Sequence, residues 1–297
     1  MGFVTGPVTV AVPATSANLG PGFDCFGLAL DLHDLLTGEV TASGLEVDVV
    51  GEGADTLPRD ERHLVVRAMR AAFGVLGVEV PGLRLRFENR IPQSRGLGSS
   101  SAAIVGGLAL ARALVEGGQR FDDDSLLFLA NQIEGHPDNV APAVVGGFVV
   151  AGQTTDEVWA LSAPIARSIS AVAFVPPTGV STEAARGLLP EQVPHAVAAA
   201  NTGRAAVLVA ALAGAPDQLL RGTEDFLHQS YRSSAMPESF ALVNALRADG
   251  LAAFISGAGP TVLVLLADGA DLLDRCPAGW TSHALAVDHA GVRVVAS

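Results

Sequence analysis

The sequence contains no lysine; all 18 of its basic residues are arginine. Such a chain cannot build a phosphate loop of the GxxxxGK[ST] type, supply the strand lysine of a protein-kinase fold, or form a Schiff base. Any phosphate it handles must be held by backbone N–H groups, serine hydroxyls, arginine or metal. Cysteine is scarce as well: Cys25 and Cys276 are too few for a disulfide framework and lack metal-ligand spacing. No uninterrupted apolar run reaches the roughly 18 residues that a spanning helix needs. The opening MGFVTGPVTVAVPA has neither the basic start nor the apolar stretch of a signal peptide. We therefore expect a cytoplasmic protein with no membrane partner. Positive charge is short overall, and a net charge of −13 speaks against a nucleic-acid partner.

What remains is a chain of 297 residues, 49% hydrophobic, enough core for one large domain or two modest ones. Residues 7–13 (PVTVAVP) read as a first strand. They run into 14–27 (ATSANLGPGFDCFG), a turn-rich loop that carries Ser16, Asn18 and Asp24 among three glycines. Segments 28–40 and 45–53 suggest further strands. Residues 58–76 put Leu64, Val65, Ala68, Met69, Ala72 and Phe73 at helical spacing.

The alternation of 83–91 (LRLRFENRI) predicts a strand, and the apolar, small-residue run of 102–117 predicts a buried helix. Between them lies 92–103, PQSRGLGSSSAA. A glycine-rich loop feeding a helix start is a ready anion site, because unpaired N–H groups and the helix dipole converge there. Serines are poor in helix interiors but good at a first turn, where their hydroxyls can also meet a ligand or metal.

Residues 121–135 (FDDDSLLFLANQIEG) predict a helix opened by three aspartates, and 134–147 (EGHPDNVAPAVVGG) crowds His136, Asp138 and Asn139 just past its end. Strands are expected at 148–151 and 168–175, with the domain boundary between them. Helix candidates follow at 181–189, 194–212, 218–230 and 238–248. The close of the chain reads as two strands around a second glycine turn (253–269), a short helix, and strands near 281–287 and 292–295.

Three segments remote in sequence thus share hydrogen-bonding and acidic groups beside glycine. Phosphoryl transfer needs a phosphate cradle, a hydroxyl and carboxylate metal site, and groups that orient the accepting hydroxyl. PQSRGLGSSSAA resembles the PxxxGLGSSAA motif of the GHMP kinases, and ISGAGPTVLVL resembles the third motif of that superfamily. Within it, VPATSANLGPGFDCFGLAL (12–30) and EGHPDNVAPAVVGG are similar to segments of the homoserine kinase family. The four motifs occur in the expected order from about residue 8 onward.

The resemblance implies an α+β fold in two domains: residues 1–160 of ribosomal-S5-like type, binding ATP, and residues 161–297 of ferredoxin-like type, contributing substrate arginines. It implies that Pro92, Gln93, Ser94, Arg95, Gly96, Leu97, Gly98, Ser99, Ser100, Ser101 and Ala102 wrap the ATP phosphates, with Ser100 and Glu134 holding Mg2+. Asn18, Asp24, His136 and Asn139 would surround the hydroxyl and amino group of L-homoserine, and Arg186 and Arg232 would meet its carboxylate, a pairing suited to guanidinium. The family often has an asparagine near the adenine where this chain has His63. The implied reaction is ATP-dependent phosphorylation of the γ-hydroxyl, as in threonine biosynthesis. A homodimer is allowed.

The general base is not obvious. Mevalonate-kinase-like relatives carry an aspartate where this chain has Asn139, and an amide does not usefully accept a proton. Asp24 and Asp138 remain as candidates, although a loose transition state asks little of a base. Alternatives are another small-molecule GHMP kinase, acting on mevalonate or a sugar, and an ATP-binding sensor without turnover.

Overall fold

Alternating apolar residues at the start of the chain become the long pair β1 (Val8–Ala17) and β2 (Phe26–Thr41), antiparallel through both strands. The computed structural model describes residues 2–267 and 269–296. After β3 (Gly44–Gly51), helix α1 (Leu64–Leu76) crosses to β4 (Gly82–Asn89), which pairs parallel to β3 and antiparallel to β2. Asp60 and Glu61 precede α1 and lie outside its first turn. His63 caps it instead, its Nδ1 accepting from the Val65 N–H.

Helix α2 (Ser99–Leu114) is buried along most of its length and packs against α1 and β1. Its small residues have a steric purpose: a Cβ on Gly107 would lie 2.7 Å from the Val65 carbonyl oxygen. Helix α3 (Asp123–Glu134) is capped by Asp122 and ends at Gly135, whose φ of 94° lies in the left-handed region. Proline then starts α4 (Pro137–Val145). The chain returns through β5 (Phe148–Gln153), which pairs with the first residues of β2, and β6 (Val158–Ala163), which hairpins onto β5.

The second sheet begins with β7 (Ser170–Val175). Four helices follow: α5 (Thr182–Arg186), α6 (His195–Gly214), α7 (Leu219–Gly222) and α8 (Pro237–Ala248). Strands β8 (Ala252–Ile255), β9 (Val262–Leu266) and β10 (Thr281–Ala286) complete an antiparallel sheet of order β10-β7-β9-β8. Strand β9 shows why this sheet is apolar on both faces. Leu263 and Leu265 join the main core, whereas Val262, Val264 and Leu266 pack toward Met236, Val243 and Leu246 at α8. The last strand, β11 (Arg293–Ala296), goes back to the first sheet beside β1.

Three expectations change. The segment between the strands at 148 and 170 is not a linker, because β6 occupies it; a division at residue 160 would cut that strand. The return of β11 also means that the two sheets are not two contiguous halves of the chain. The termini of the expected spans, 1 and 297, lie outside the described residues. Third, the helix expected over 218–230 stops at Gly222. Asp225 accepts from the N–H groups of Leu227, His228 and Gln229, which turns the chain instead.

Among the described residues, α6 is long and apolar enough by length and composition to cross a membrane. It carries Asn201 and Arg204, however, and both are bonded to the rest of the fold: Asn201 donates to the Pro21 carbonyl at 2.7 Å and Arg204 pairs with Glu224.

Candidate active site

A cleft of about 440 Å³ opens where the end of β1, the starts of α2 and α4, α5, and the 3-10 turn at Ser230–Ala235 meet. Gly98, in the left-handed region at φ 69°, is the N-cap of α2 and offers no side chain. The first intrahelical bond is Ala102 N–H to the Gly98 carbonyl, so the N–H groups of Ser99, Ser100 and Ser101 carry no helical partner. The loop is held from behind by the second glycine turn. Ser256 Oγ donates to the Gly96 carbonyl at 2.6 Å, and a Cβ on Gly96 would lie 2.2 Å from the Ser256 carbonyl oxygen. Four described non-glycine residues hold positive φ: Asn18, Leu19, Asp24 and Ser94. Three of them line the cleft, which is where strained backbone tends to be kept.

Not all of the expected phosphate loop reaches the cleft. Gln93, Ser94, Arg95, Gly96, Gly98, Ser99, Ser100 and Ser101 line it; Pro92, Leu97 and Ala102 do not, and Leu97 is fully buried in the core. Arg95 directs its N–H groups to the carbonyls of Gln93, Pro176 and Pro177, tying the loop to the end of β7. Ser100 Oγ donates to Glu134 Oε2 and Ser101 Oγ to Glu134 Oε1, each at 2.9 Å. Two hydroxyls and a carboxylate make a hard-oxygen donor set that suits Mg2+.

The acceptor side gathers the remaining residues. Thr15 Oγ1 donates to Asn139 Oδ1 at 2.8 Å, which occupies the amide oxygen. Asn18 spends its amide on the loop: Nδ2 donates to the Gly257 carbonyl, and Oδ1 accepts from the Asp24 N–H at 3.0 Å. His136 Nδ1 meets Asp138 Oδ1 at 2.9 Å, and this hydrogen bond raises the His136 pKa. Asp24 is taken on both oxygens by Arg186, at 2.6 and 3.0 Å, a bidentate pair that raises the arginine pKa.

Arg232 differs from Arg186. It is 2% exposed, has no ion pair among the described residues, and its Nε is buried without a hydrogen-bond partner. Its contacts are long ones, 3.4 Å from Nη1 to His228 Nδ1 and to the Gly257 carbonyl. Burial, then the nearby Arg186 charge, presses its pKa down. A buried, unpaired cation facing a cleft is costly, and anion binding is the natural compensation.

His63 also lines the cleft, buried against the Phe87 ring, and Leu57, Leu64 and Val65 are among the other lining residues. Its Nε2 is buried and unpartnered, and burial lowers its pKa. Asp34 lines the same cleft, and burial pushes its carboxyl up to about 6, against two accepted N–H bonds from Arg90 and Ile91.

Sequence reasoning missed Thr15, Phe23 and His228, and grouped Ser101 with the phosphate loop only. Phe23 has a guanidinium 5.4 Å (Arg186) and another 5.3 Å (Arg232) from its ring centroid. Its position between Gly22 and Asp24 was the one available signal.

Residues 63–147 match the family model described as the GHMP kinases N terminal domain, and residues 207–279 match that of the GHMP kinases C terminal. The chain is thus a GHMP kinase, as its cleft and α+β architecture suggest. Narrower similarity follows. A protein named homoserine kinase from Streptomyces avermitilis is 54% identical over 99% of this chain and 97% of its own, and one from Streptomyces coelicolor is 53% identical over 99% and 96%. The crystal structure of homoserine kinase from Cytophaga hutchinsonii superposes with a TM-score of 0.84 at 27% identity, covering 97% of each chain. The chain belongs to the homoserine kinase family. The mevalonate kinase of L. major, 15% identical with a TM-score of 0.69, shares the fold.

Proposed function

We propose that the protein transfers the γ-phosphoryl group of ATP to the γ-hydroxyl of L-homoserine, giving O-phospho-L-homoserine and ADP, the step that relatives named homoserine kinase would supply to threonine biosynthesis. The observation that carries the choice of acceptor is the buried, unpaired Arg232 guanidinium, which favours an acceptor with a carboxylate over a neutral sugar; mevalonate has a carboxylate too, and the Asp24 carboxylate in the same cleft favours an acceptor that also carries an ammonium. Arg186 and Asp24 supply a second cation and an anion beside it, complementary to a zwitterion.

The ATP phosphates rest on the open N–H groups of Ser99, Ser100 and Ser101 at the start of α2. Ser100 and Glu134 would hold Mg2+, with Ser101 fixing the second Glu134 oxygen. The ion, when bound, neutralises charge on the transferring phosphates.

Catalysis rests on positioning and charge stabilisation rather than on a strong base. Asn139 has its oxygen engaged by Thr15, which leaves its N–H groups to donate to an oxygen in the cleft. Asp24 is committed to Arg186 and Asp138 to His136, so neither carboxylate is a free proton acceptor. Asn18 and His136 shape the wall around the acceptor.

The test is ADP release by the purified protein with Mg·ATP and a panel of alcohols: L-homoserine, mevalonate and galactose. Release dependent on homoserine supports the reading. Release with another alcohol only, or ATP binding without release on any of them, overturns it.

A further inference from the structure

Arg232 is held by an unusual partner. A buried arginine is ordinarily paired with a carboxylate, which would neutralise it. Here the side chain in contact is an imidazole, that of His228, four residues earlier and fully buried. His228 Nε2 lies 2.7 Å from the Gly20 carbonyl oxygen. A carbonyl only accepts, so Nε2 carries the proton. In the neutral ring Nδ1 is then a lone pair, and it faces Arg232 Nη1 at 3.4 Å.

A carboxylate is present nearby but is kept from the guanidinium. The Asp225 side chain, itself fully buried, approaches the far nitrogen, Nε2, at 3.5 Å and spends its oxygens on three backbone N–H groups. The imidazole also stacks on Phe23, with centroids 5.2 Å apart and planes 28° apart. The same Phe23 ring supports the Arg232 guanidinium. Burial lowers the His228 pKa, consistent with a neutral ring.

We infer that His228 is a positioning residue for carboxylate recognition: it aims the Arg232 guanidinium into the cleft through a neutral acceptor, leaving the arginine charge for an incoming anion. This rests on the reading that the acceptor's carboxylate meets Arg232. A carboxylate at position 228 would hold the arginine as well but would compete with the substrate. The Gly20 bond also couples the Asn18–Asp24 loop to Arg232, so both walls of the acceptor pocket share one anchor.

Two substitutions separate the two ring nitrogens. His228→Gln carries an amide N–H toward Gly20 but no acceptor near Nδ1; His228→Asn carries an acceptor near Nδ1 but no donor toward Gly20. Steady-state kinetics are compared for L-homoserine and for 3-amino-1-propanol, which lacks the carboxylate. His228→Gln is expected to raise the KM for homoserine about tenfold or more, the size expected for a hydrogen bond to a charged group. The KM for ATP should stay as in the native protein, with 3-amino-1-propanol turned over at the native kcat/KM. His228→Asn should restore the homoserine KM to within a few fold. Equal losses on both substrates, or equal losses in both variants, overturn the inference.

Arg232→Gln distinguishes the two layers of argument. If it leaves the preference for homoserine over 3-amino-1-propanol unchanged, the carboxylate reading fails. If it abolishes that preference while His228→Gln does not touch it, only the role of His228 fails. Should the His228 variants not fold, nitrogen NMR of the native protein decides: an unprotonated Nδ1 at neutral pH supports the inference, and a protonated one overturns it.

Discussion

Replacing Asp138 by asparagine removes one negative charge from the cleft while keeping an oxygen where His136 needs one. Asp138 is 2% exposed and its Oδ1 sits 2.9 Å from His136 Nδ1. A hydrogen bond to a charged partner is worth about 1.5–3 kcal/mol and a neutral one about 1 kcal/mol, so the exchange weakens the anchoring of His136 by roughly 1 kcal/mol. Passed in full to the transition state, that is about a fivefold loss of rate. If Asp138 were instead the general base, its loss would cost about a hundred- to ten-thousandfold. The two accounts are therefore separated by more than an order of magnitude. The assay is kcat by coupled ADP release at saturating Mg·ATP and homoserine from pH 5.5 to 9, for the native protein, Asp138→Asn and Asp24→Asn. We expect less than about a tenfold fall in kcat for Asp138→Asn. Proton NMR should find His136 titrating lower than in the native protein, because the bond that raises its pKa has lost its charge. For Asp24→Asn, which frees Arg186, the larger effect should fall on the KM for homoserine. A fall of kcat beyond a hundredfold in either variant, with KM values unchanged, refutes catalysis without a base.

Other expectations follow from the same geometry. Glu134→Gln keeps an acceptor for one serine hydroxyl, puts an NH2 donor where the other serine donated, and removes a ligand charge, so half-saturation by Mg2+ should rise roughly tenfold or more in an activity titration. Gly98→Ala puts a Cβ 2.0 Å from Thr15 Oγ1 at a φ of 69°, displacing the group that holds Asn139; thermal unfolding should register a loss of about 2–4 kcal/mol, with activity falling further than stability. Asp34→Asn keeps an acceptor for the Arg90 and Ile91 N–H groups and removes a buried charge. The Asp34 pKa stands at about 6 against an ordinary 3.8, so the folded state binds the proton more tightly and ionisation destabilises it. The variant should match the native protein below pH 4 and exceed it in stability by up to about 3 kcal/mol above pH 6, measured by urea unfolding; an advantage independent of pH would contradict this.

Local chemistry made much of the site legible. GLGSSSA announces an open helix start because glycine and serine are what such a turn requires, and the absence of lysine fixed how phosphate could be held. The helices at 64–76 and 123–134 could be read because one face of each is buried, which imposes a helical period. Less could be read where partners are remote. Strand β6 was missed because Val158–Ala163 is an edge strand with no fully buried residue to mark a core face. The helix over 218–230 was overextended because propensity favoured it, whereas three N–H bonds to Asp225 decided the turn.

The sequence by itself determined which chemical groups were available: hydroxyls and N–H groups for phosphate, a carboxylate for metal, arginines for a carboxylate, and no lysine for any of them. Only the tertiary structure decided how each group is committed. Arg186 and Arg232 look alike in the chain, but one is paired with Asp24, 162 residues away, and the other is buried unpaired beside His228. Charge in a protein is set by burial and by neighbours brought together from distant segments, and those distances are not written in the order of residues.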